Sequence, residues 1–96
     1  MKIIWRDKAS NDLEDIFNFI QLRSPQNAIM IFNEIYNLVN SLTTFPERNP
    51  IDKSVNDSNV RFAILWNYKI VYSIEEDVIV VLRIFGTRQH PKKLTP

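Results

Sequence analysis

The apolar residues in the first part of the chain recur with the period of an α-helix. Between Ala9 and Ile20 they are four, three, one and three residues apart, so they fall on one face of an amphipathic helix. Asp7 precedes this stripe and is expected to cap the helix by accepting a hydrogen bond from a free first-turn N–H. The pattern predicts that this first helix ends near Arg23.

A second apolar stripe with three- and four-residue spacing runs from Ala28 to Leu42. Ser24-Pro25 separates the two stripes, because proline disfavours helical backbone in the residue before it. Ser24 is then the expected N-cap of the second helix, with Pro25 as its first residue. Since almost no loop remains between the helices, the pattern predicts an antiparallel αα-hairpin, which Pro46 should stop.

Segments rich in β-branched and aromatic residues flank this helical hairpin. An expected edge strand, Lys2–Trp5, precedes it, and three strands follow: Val60–Leu65, Tyr68–Ile74 and Val78–Phe85. The links between the last three are too short for helical crossovers, so these strands should form an antiparallel meander. Residues 45–59 are rich in proline and asparagine and predict a surface loop. The predicted fold class is α+β, in the order β-α-α-β-β-β, with the αα-hairpin on one face of an antiparallel sheet and one domain over residues 1–96.

Alternation along a strand assigns each residue to one face of the sheet. The residues expected to face the helices are Tyr68, Ile70, Tyr72, Ile74, Phe62, Ile64, Val78, Val80, Leu82 and Ile84. The opposite, helix-free face should carry Arg61, Ala63, Leu65, Lys69, Val71, Ser73, Ile79, Val81, Arg83 and Phe85. Three cations would therefore lie beside an apolar patch of the kind that binds a partner protein, made of Leu65, Val71, Val81 and Phe85. Alternatively, residues 45–59 cover part of this face.

Composition excludes several classes of site. The chain has 96 residues and no cysteine, which excludes disulfides, thiol chemistry and cysteine-ligated metals. A single glycine, Gly86, excludes a phosphate-binding loop and a dinucleotide-binding fingerprint. With His90 as the only histidine and no carboxylate cluster that stands out, neither a metal nor a cofactor is expected. The apolar runs are shorter than the roughly 20 residues that cross a bilayer, and Met1–Trp5 is too short for a secretory segment. A cytoplasmic protein without a membrane partner is therefore expected.

A series of short segments follows one order along nearly the whole chain. They are Leu13-Glu14-Asp15-Ile16 with Phe19-Ile20, Ser24-Pro25, Leu42 with Phe45-Pro46-Glu47-Arg48, Asn67-Tyr68-Lys69-Ile70-Val71-Tyr72, Val81-Leu82-Arg83-Ile84-Phe85 and Gly86-Thr87-Arg88. No single segment is specific, but in order and spacing they resemble the bacterial RelE/ParE toxin superfamily from about Trp5 to Pro91. The resemblance implies the toxin of a type II toxin–antitoxin pair, which a tightly bound cognate antitoxin silences.

Two branches of that superfamily imply different functions. RelE-like members cleave mRNA on the ribosome without a metal, using clustered cations to stabilise the phosphorane charge. The residues that would carry this chemistry here are Lys69, Arg61, Arg83, Arg88 and His90. Lys69 and Arg88 fall on catalytic arginines of that branch, whereas its lysine pair and its C-terminal tyrosine have no counterpart here, since no tyrosine follows Tyr72. ParE-like members instead bind DNA gyrase and block replication.

The incomplete cationic set favours the ParE-like branch, in which the chain is not an enzyme. The expected contacts with antitoxin or target, in a toxin–antitoxin hetero-oligomer, are Arg61, Leu65, Lys69, Val71, Val81, Arg83, Phe85 and Arg88. Two alternatives stay open: a ribosome-dependent mRNA endoribonuclease, and a non-toxic interaction module with the same fold. The basic residues from Arg83 onward indicate either a small anion-binding patch or an ordinary solvated tail.

Overall fold

The computed structural model describes residues 1–87, which contain two helices and four strands. Along the chain these are β1 (Lys2–Trp5), α1 (Asp7–Gln21), α2 (Pro25–Ser41), β2 (Val60–Leu65), β3 (Tyr68–Glu75) and β4 (Val78–Gly86), with a single 3-10 turn at Pro46–Arg48. The α+β order predicted from the sequence is confirmed. Each predicted strand lies within one residue of its observed bounds.

The boundary between the helices is the predicted one. Ser24 is the N-cap of α2, its side-chain oxygen accepts the backbone N–H of Asn27 at 3.3 Å, and Pro25 is the first helical residue. Asp7, in contrast, is not the cap of α1, because the N-cap is Arg6 and Asp7 is already helical. The backbone N–H of Arg6 donates to Val81 O at 3.0 Å, so the chain enters α1 directly from its pairing with β4. The second helix ends at Ser41, and Pro46 opens the 3-10 turn.

The sheet has the strand order β1-β4-β3-β2. Strands β2, β3 and β4 form the predicted antiparallel meander, and β1 lies at an edge as expected. β1 pairs with β4 in parallel, however, so the sheet is mixed. The helical hairpin that follows β1 makes this possible, because parallel neighbours need a long crossover connection rather than a tight turn.

A β-bulge in β4 reverses its alternation. Val71 pairs with Arg83, but the next residue of β3, Tyr72, pairs with Val81, which leaves Leu82 as an extra residue. Ile79 and Val81 before the bulge and Ile84 after it therefore pack in the core, where they are at most 1% exposed. The prediction that Val78, Val80 and Leu82 face the helices, with Ile79 and Val81 opposite, is wrong for this reason.

The faces of β2 are also the reverse of those predicted. Leu65 pairs directly with Tyr68 across a two-residue turn, Ala63 with Ile70, and Arg61 with Tyr72. Directly paired residues share a face, so these three residues of β2 lie on the side of the helices. Phe62 and Ile64 consequently lie on the helix-free face, opposite to expectation.

One continuous core fills the space between the helices and the sheet. Its buried members come from both helices and from the two central strands: Ala9, Leu13, Ile31, Ile35, Val39, Ile70, Val81 and Ile84. A second buried cluster, formed by Leu42, Tyr72 and Ile79, continues it toward the end of α2. Burial of these side chains holds the αα-hairpin against one face of the sheet.

Candidate protein-binding surfaces

Lys69 lies on the helix-free face but is buried, with 8% of its surface exposed. Its Nζ lies 3.1 Å from Oδ2 of Asp52, and it also lies 4.7 Å from the ring centroid of Phe62 and 5.9 Å from that of Phe85. A cation between two aromatic rings and a carboxylate is stabilised by all three neighbours. Lys69 is therefore engaged by its own chain.

Residues 45–59, the edge segment, place Asp52 opposite Lys69. Backbone hydrogen bonds from Asp52 N to Val60 O (2.9 Å) and from Phe62 N to Pro50 O (3.1 Å) attach this segment to the outer edge of β2. The Ser54 hydroxyl donates to Oδ1 of Asp52 at 2.6 Å. Burial alone would raise the pKa of Asp52, but the hydrogen bonds from Ser54 and Lys69 outweigh it, and the pKa lies below its ordinary value.

Arg61 anchors the same segment from the other face of the sheet. Its Nη1 donates to the backbone oxygens of Glu47 at 2.9 Å and of Asn49 at 2.7 Å. Beside it, the Tyr72 hydroxyl donates to Pro46 O at 2.6 Å and accepts from the Asn49 side chain at 3.1 Å. Burial raises the pKa of Tyr72. Arg61 thus serves to hold the edge segment against the sheet.

Arg83 lies at the free end of β4 and turns toward α1. Its Nε is 2.8 Å from Oδ2 of Asp12, and its Nη2 is 3.2 Å from Oδ1. The same carboxylate accepts the backbone N–H of Ile84 at 2.9 Å. Hydrogen bonding to Asp12 raises the pKa of Arg83 above its ordinary value. Asp12 therefore joins α1 to both the side chain and the backbone of β4.

The prediction that Arg61, Lys69 and Arg83 cluster on one face of the sheet is consequently wrong. Lys69 and Arg83 start from the helix-free face, whereas Arg61 lies on the opposite face, and each binds a different acceptor. Arg88 and His90 lie outside the described residues.

The expected apolar patch does not form either, because Leu65 and Val81 pack in the core. Val71 is 5% exposed, in agreement with the alternative that the edge segment covers part of this face, and Phe85 is half-buried.

A cleft that the face assignments missed opens between α1 and the end of β4. We call it the β4 cleft; it has a volume of about 540 Å³ and is lined by Asp12, Asp15, Ile16, Phe19, Asn67, Tyr68, Arg83, Ile84, Phe85 and Gly86. It exists because β1 stops at Trp5, paired with Val81, while β4 continues to Gly86. The unequal lengths of the two strands are visible in the sequence, but their pairing is not.

A second concave surface, the aromatic groove, lies along the αα-hairpin. Trp5 stacks on Tyr36 at 5.6 Å between ring centroids, Tyr36 stacks on Phe32 at 5.8 Å, and Phe32 meets Phe17 edge to face at 5.9 Å. Together with neighbouring residues these rings border a space of about 790 Å³. Tyr36 belongs to the apolar stripe of α2, yet it is 44% exposed. Exposed apolar side chains that form a patch mark a site of interaction with a partner.

Among residues 1–87, no group of three or more histidine, cysteine, aspartate or glutamate side chains is placed to hold a metal ion. Within the same range, neither helix combines the length and apolar character that crossing a membrane requires.

Sequence comparison identifies one family. The model of the family described as the ParE toxin of the type II toxin–antitoxin system, parDE, matches residues 3–91 of the chain. No curated protein matches the sequence significantly.

Structural comparison finds the same fold in toxin–antitoxin structures. A chain of the chromosomal ParDE system from Pseudomonas aeruginosa aligns with a TM-score of 0.75 and 22% identity, over 90% of this chain and 95% of that one. A chain of the RelBE2 toxin–antitoxin complex from Mycobacterium tuberculosis gives 0.66 and 17%, over 88% and 95%. One from the RelB–RelE complex of Methanococcus jannaschii gives 0.60 and 16%, over 97% and 99%. At these identities the likeness concerns the fold.

Proposed function

The chain belongs to the ParE toxin family of type II toxin–antitoxin systems, and from that premise we propose that it is the toxin of such a pair, acting in the cytoplasm. It inhibits DNA gyrase by binding the enzyme. A cognate antitoxin neutralises it within a hetero-oligomer. One observation supports gyrase over mRNA as the target: among the described residues, three cations that a nuclease would need, Lys69, Arg61 and Arg83, are engaged by the chain itself.

Metal-independent RNA cleavage requires cations aimed at the phosphate where charge develops. The ammonium of Lys69 instead has a carboxylate at 3.1 Å, and the pair is almost fully buried. The guanidinium of Arg83 is held by Asp12, and that of Arg61 by two backbone oxygens. None of these three groups converges with another on a common point, which disfavours the nuclease alternative.

Binding of a protein partner suits the surface better. The aromatic groove and the β4 cleft are concave and partly apolar, and exposed aromatic side chains dominate the energy of many protein interfaces. The neighbouring structures from P. aeruginosa, M. tuberculosis and M. jannaschii come from toxin–antitoxin systems or complexes, which supports an antitoxin as one partner.

Induced expression in a bacterium tests the proposal. We expect growth arrest with failing DNA replication, and we expect co-expression of the cognate antitoxin to relieve it. Primer extension on translated mRNA should show intact transcripts. The control is the same expression with an early stop codon in the coding sequence of this chain. Codon-positioned cuts would instead support the endoribonuclease. Unimpaired growth with confirmed expression would support the non-toxic interaction module.

A further inference from the structure

Two turns of the chain lie together at one end of the molecule. One is the turn Leu22-Arg23 between the helices, and the other is the two-residue turn Trp66-Asn67 between β2 and β3. Phe19, in the last turn of α1, lines the same cleft as Asn67. The indole N–H of Trp66 donates to Oε1 of Glu34 in α2 at 3.1 Å. The end of the αα-hairpin and the tip of the β2–β3 hairpin therefore form one surface.

We call this the hairpin-end surface and define it by Leu22, Arg23, Met30 and Trp66. Leu22 is 87% exposed and Trp66 60%, and Met30 is an exposed residue one turn before Glu34 in α2. Charged residues are scarce here, because residues 16–33 contain only Arg23 and residues 62–68 contain none. The cores of protein interfaces are depleted of charge and enriched in tryptophan, methionine and arginine, so this surface has an interface composition.

Trp66 has a backbone conformation that its side chain disfavours. Its φ is 57°, at the first position of a two-residue hairpin turn. Glycine and asparagine are the residues that adopt this conformation readily, whereas it strains a bulky residue. The turn alone would therefore favour a small residue over a largely exposed indole. A strained and exposed residue that neither the turn nor the core requires indicates a role outside the fold.

The shape and charge of the hairpin-end surface indicate its partner. Because both turns lie at the ends of their elements and hold highly exposed side chains, the surface is convex. A convex apolar surface fits into a pocket, which a large folded enzyme offers, whereas a short extended or helical segment fits a concave surface such as the aromatic groove or the β4 cleft. Arg23 gives the surface a positive charge, so the rim of the matching pocket should be acidic.

We propose that the hairpin-end surface is where the chain binds DNA gyrase. Trp66 inserts into an apolar pocket of the enzyme, Met30 and Leu22 pack around its mouth, and Arg23 lies against a carboxylate at its rim. The hydrogen bond to Glu34 orients the indole in the free chain, which lowers the entropic cost of binding. The inference rests on the proposed function, because it takes gyrase as the target.

Trp66→Asn separates a binding role from a structural one. Asparagine tolerates the positive φ, so the variant should unfold at about the same urea concentration as the unsubstituted chain. The amount of chain that halves supercoiling by purified gyrase should rise at least about tenfold, as for an interface residue that dominates binding. Phe45→Asn is the matched control, since Phe45 is a 67% exposed aromatic residue outside this surface, and it should raise that amount less than about twofold. Antitoxin binding should be equal for all three chains.

Two further measurements do not depend on the folding of Trp66→Asn. Arg23→Glu should weaken gyrase inhibition more at low salt than at high salt, whereas Lys53→Glu, in the edge segment, should not. A photoreactive phenylalanine analogue in place of Met30 should crosslink to purified gyrase, and the same analogue in place of Phe45 should not.

Each result decides the question. Full inhibition by a folded Trp66→Asn chain, or no crosslink from position 30, would overturn the inference while leaving the proposed function standing. If Trp66→Asn does not fold, the crosslink and the salt dependence of Arg23→Glu decide in its place. A loss confined to antitoxin binding would assign the surface to the antitoxin, and a loss confined to self-association would assign it to a second copy; either overturns gyrase as occupant. If the unsubstituted chain does not inhibit gyrase, the proposed function fails and this inference fails with it.

Discussion

The carboxylate of Asp52 and the ammonium of Lys69 lie 3.1 Å apart on the helix-free face, where the edge segment meets the sheet. Asp52 comes from a segment without regular strand structure, whereas Lys69 comes from the second residue of β3. Because both side chains are buried, the pair connects the edge segment to the central strands. Lys69, one of the two residues expected to fall on catalytic arginines of the RelE-like branch, is therefore part of the protein's internal structure.

Asp52 and Lys69 should be energetically coupled. Removing one member leaves a buried charge without its partner, so Asp52→Asn and Lys69→Met should each lower the free energy of unfolding by about 3 kcal/mol. The double variant should lose clearly less than the sum of the two single losses. Urea unfolding of the three variants measures this coupling, with exposed Lys53→Met as the control. Strictly additive losses would show that the two groups do not interact.

Acid should weaken the contact between Asp52 and Lys69. The folded-state pKa of Asp52 is depressed below 3.8, so its stabilising effect is complete above the unfolded pKa and is lost as the pH falls through the folded value. The difference in unfolding free energy between the unsubstituted chain and Asp52→Asn should stay constant from pH 7 to about pH 5 and shrink below about pH 4. A difference that did not change with acidification would contradict the depressed pKa.

The Tyr72 hydroxyl should contribute to stability by holding the edge segment from the side of the helices. It donates to Pro46 O and accepts from Asn49, so Tyr72→Phe leaves both groups without that partner. The expected loss is about 1 to 2 kcal/mol in the free energy of unfolding. Tyr36→Phe is the matched control, because it keeps the aromatic stack and removes an exposed hydroxyl; equal losses for both variants would argue against the anchoring role.

Asp12 should be the more important of the two acidic residues in the β4 cleft for stability. Its carboxylate accepts three hydrogen bonds from Arg83 and Ile84, so Asp12→Asn should destabilise the fold by about 2 kcal/mol. Asp15→Asn, one turn farther along α1, should change stability by less than about 0.5 kcal/mol. Thermal unfolding compares the two variants directly. The prediction fails if the ranking is reversed.

Local sequence signals were sufficient for the elements and their order. Ser24-Pro25 marked the boundary between the helices because capping and the geometry of proline act within one turn. The strands were recognisable from β-branched and aromatic residues, which favour extended backbone wherever they occur. The parallel pairing of β1 was not recognisable, since it depends on where the helical hairpin returns the chain.

The faces of the sheet required information that alternation alone does not contain. Leu82 is an ordinary apolar residue in the sequence, yet as the bulged residue it reverses the alternation of β4. The two-residue turn before Tyr68 could have corrected β2, because it forces Leu65 and Tyr68 to pair and hence to share a face. The partners of the cations could not be predicted from local sequence patterns, since Asp12 and Arg83, for example, are 71 residues apart in the chain.

Supercoiling of relaxed plasmid by purified DNA gyrase, with increasing amounts of the purified chain, tests the central claim most directly. A parallel translation reaction receives the same amounts and is analysed by primer extension. The account predicts that supercoiling falls with increasing chain while the mRNA remains uncut, and that added antitoxin restores supercoiling. Undiminished supercoiling together with cuts at codon-defined positions would contradict it.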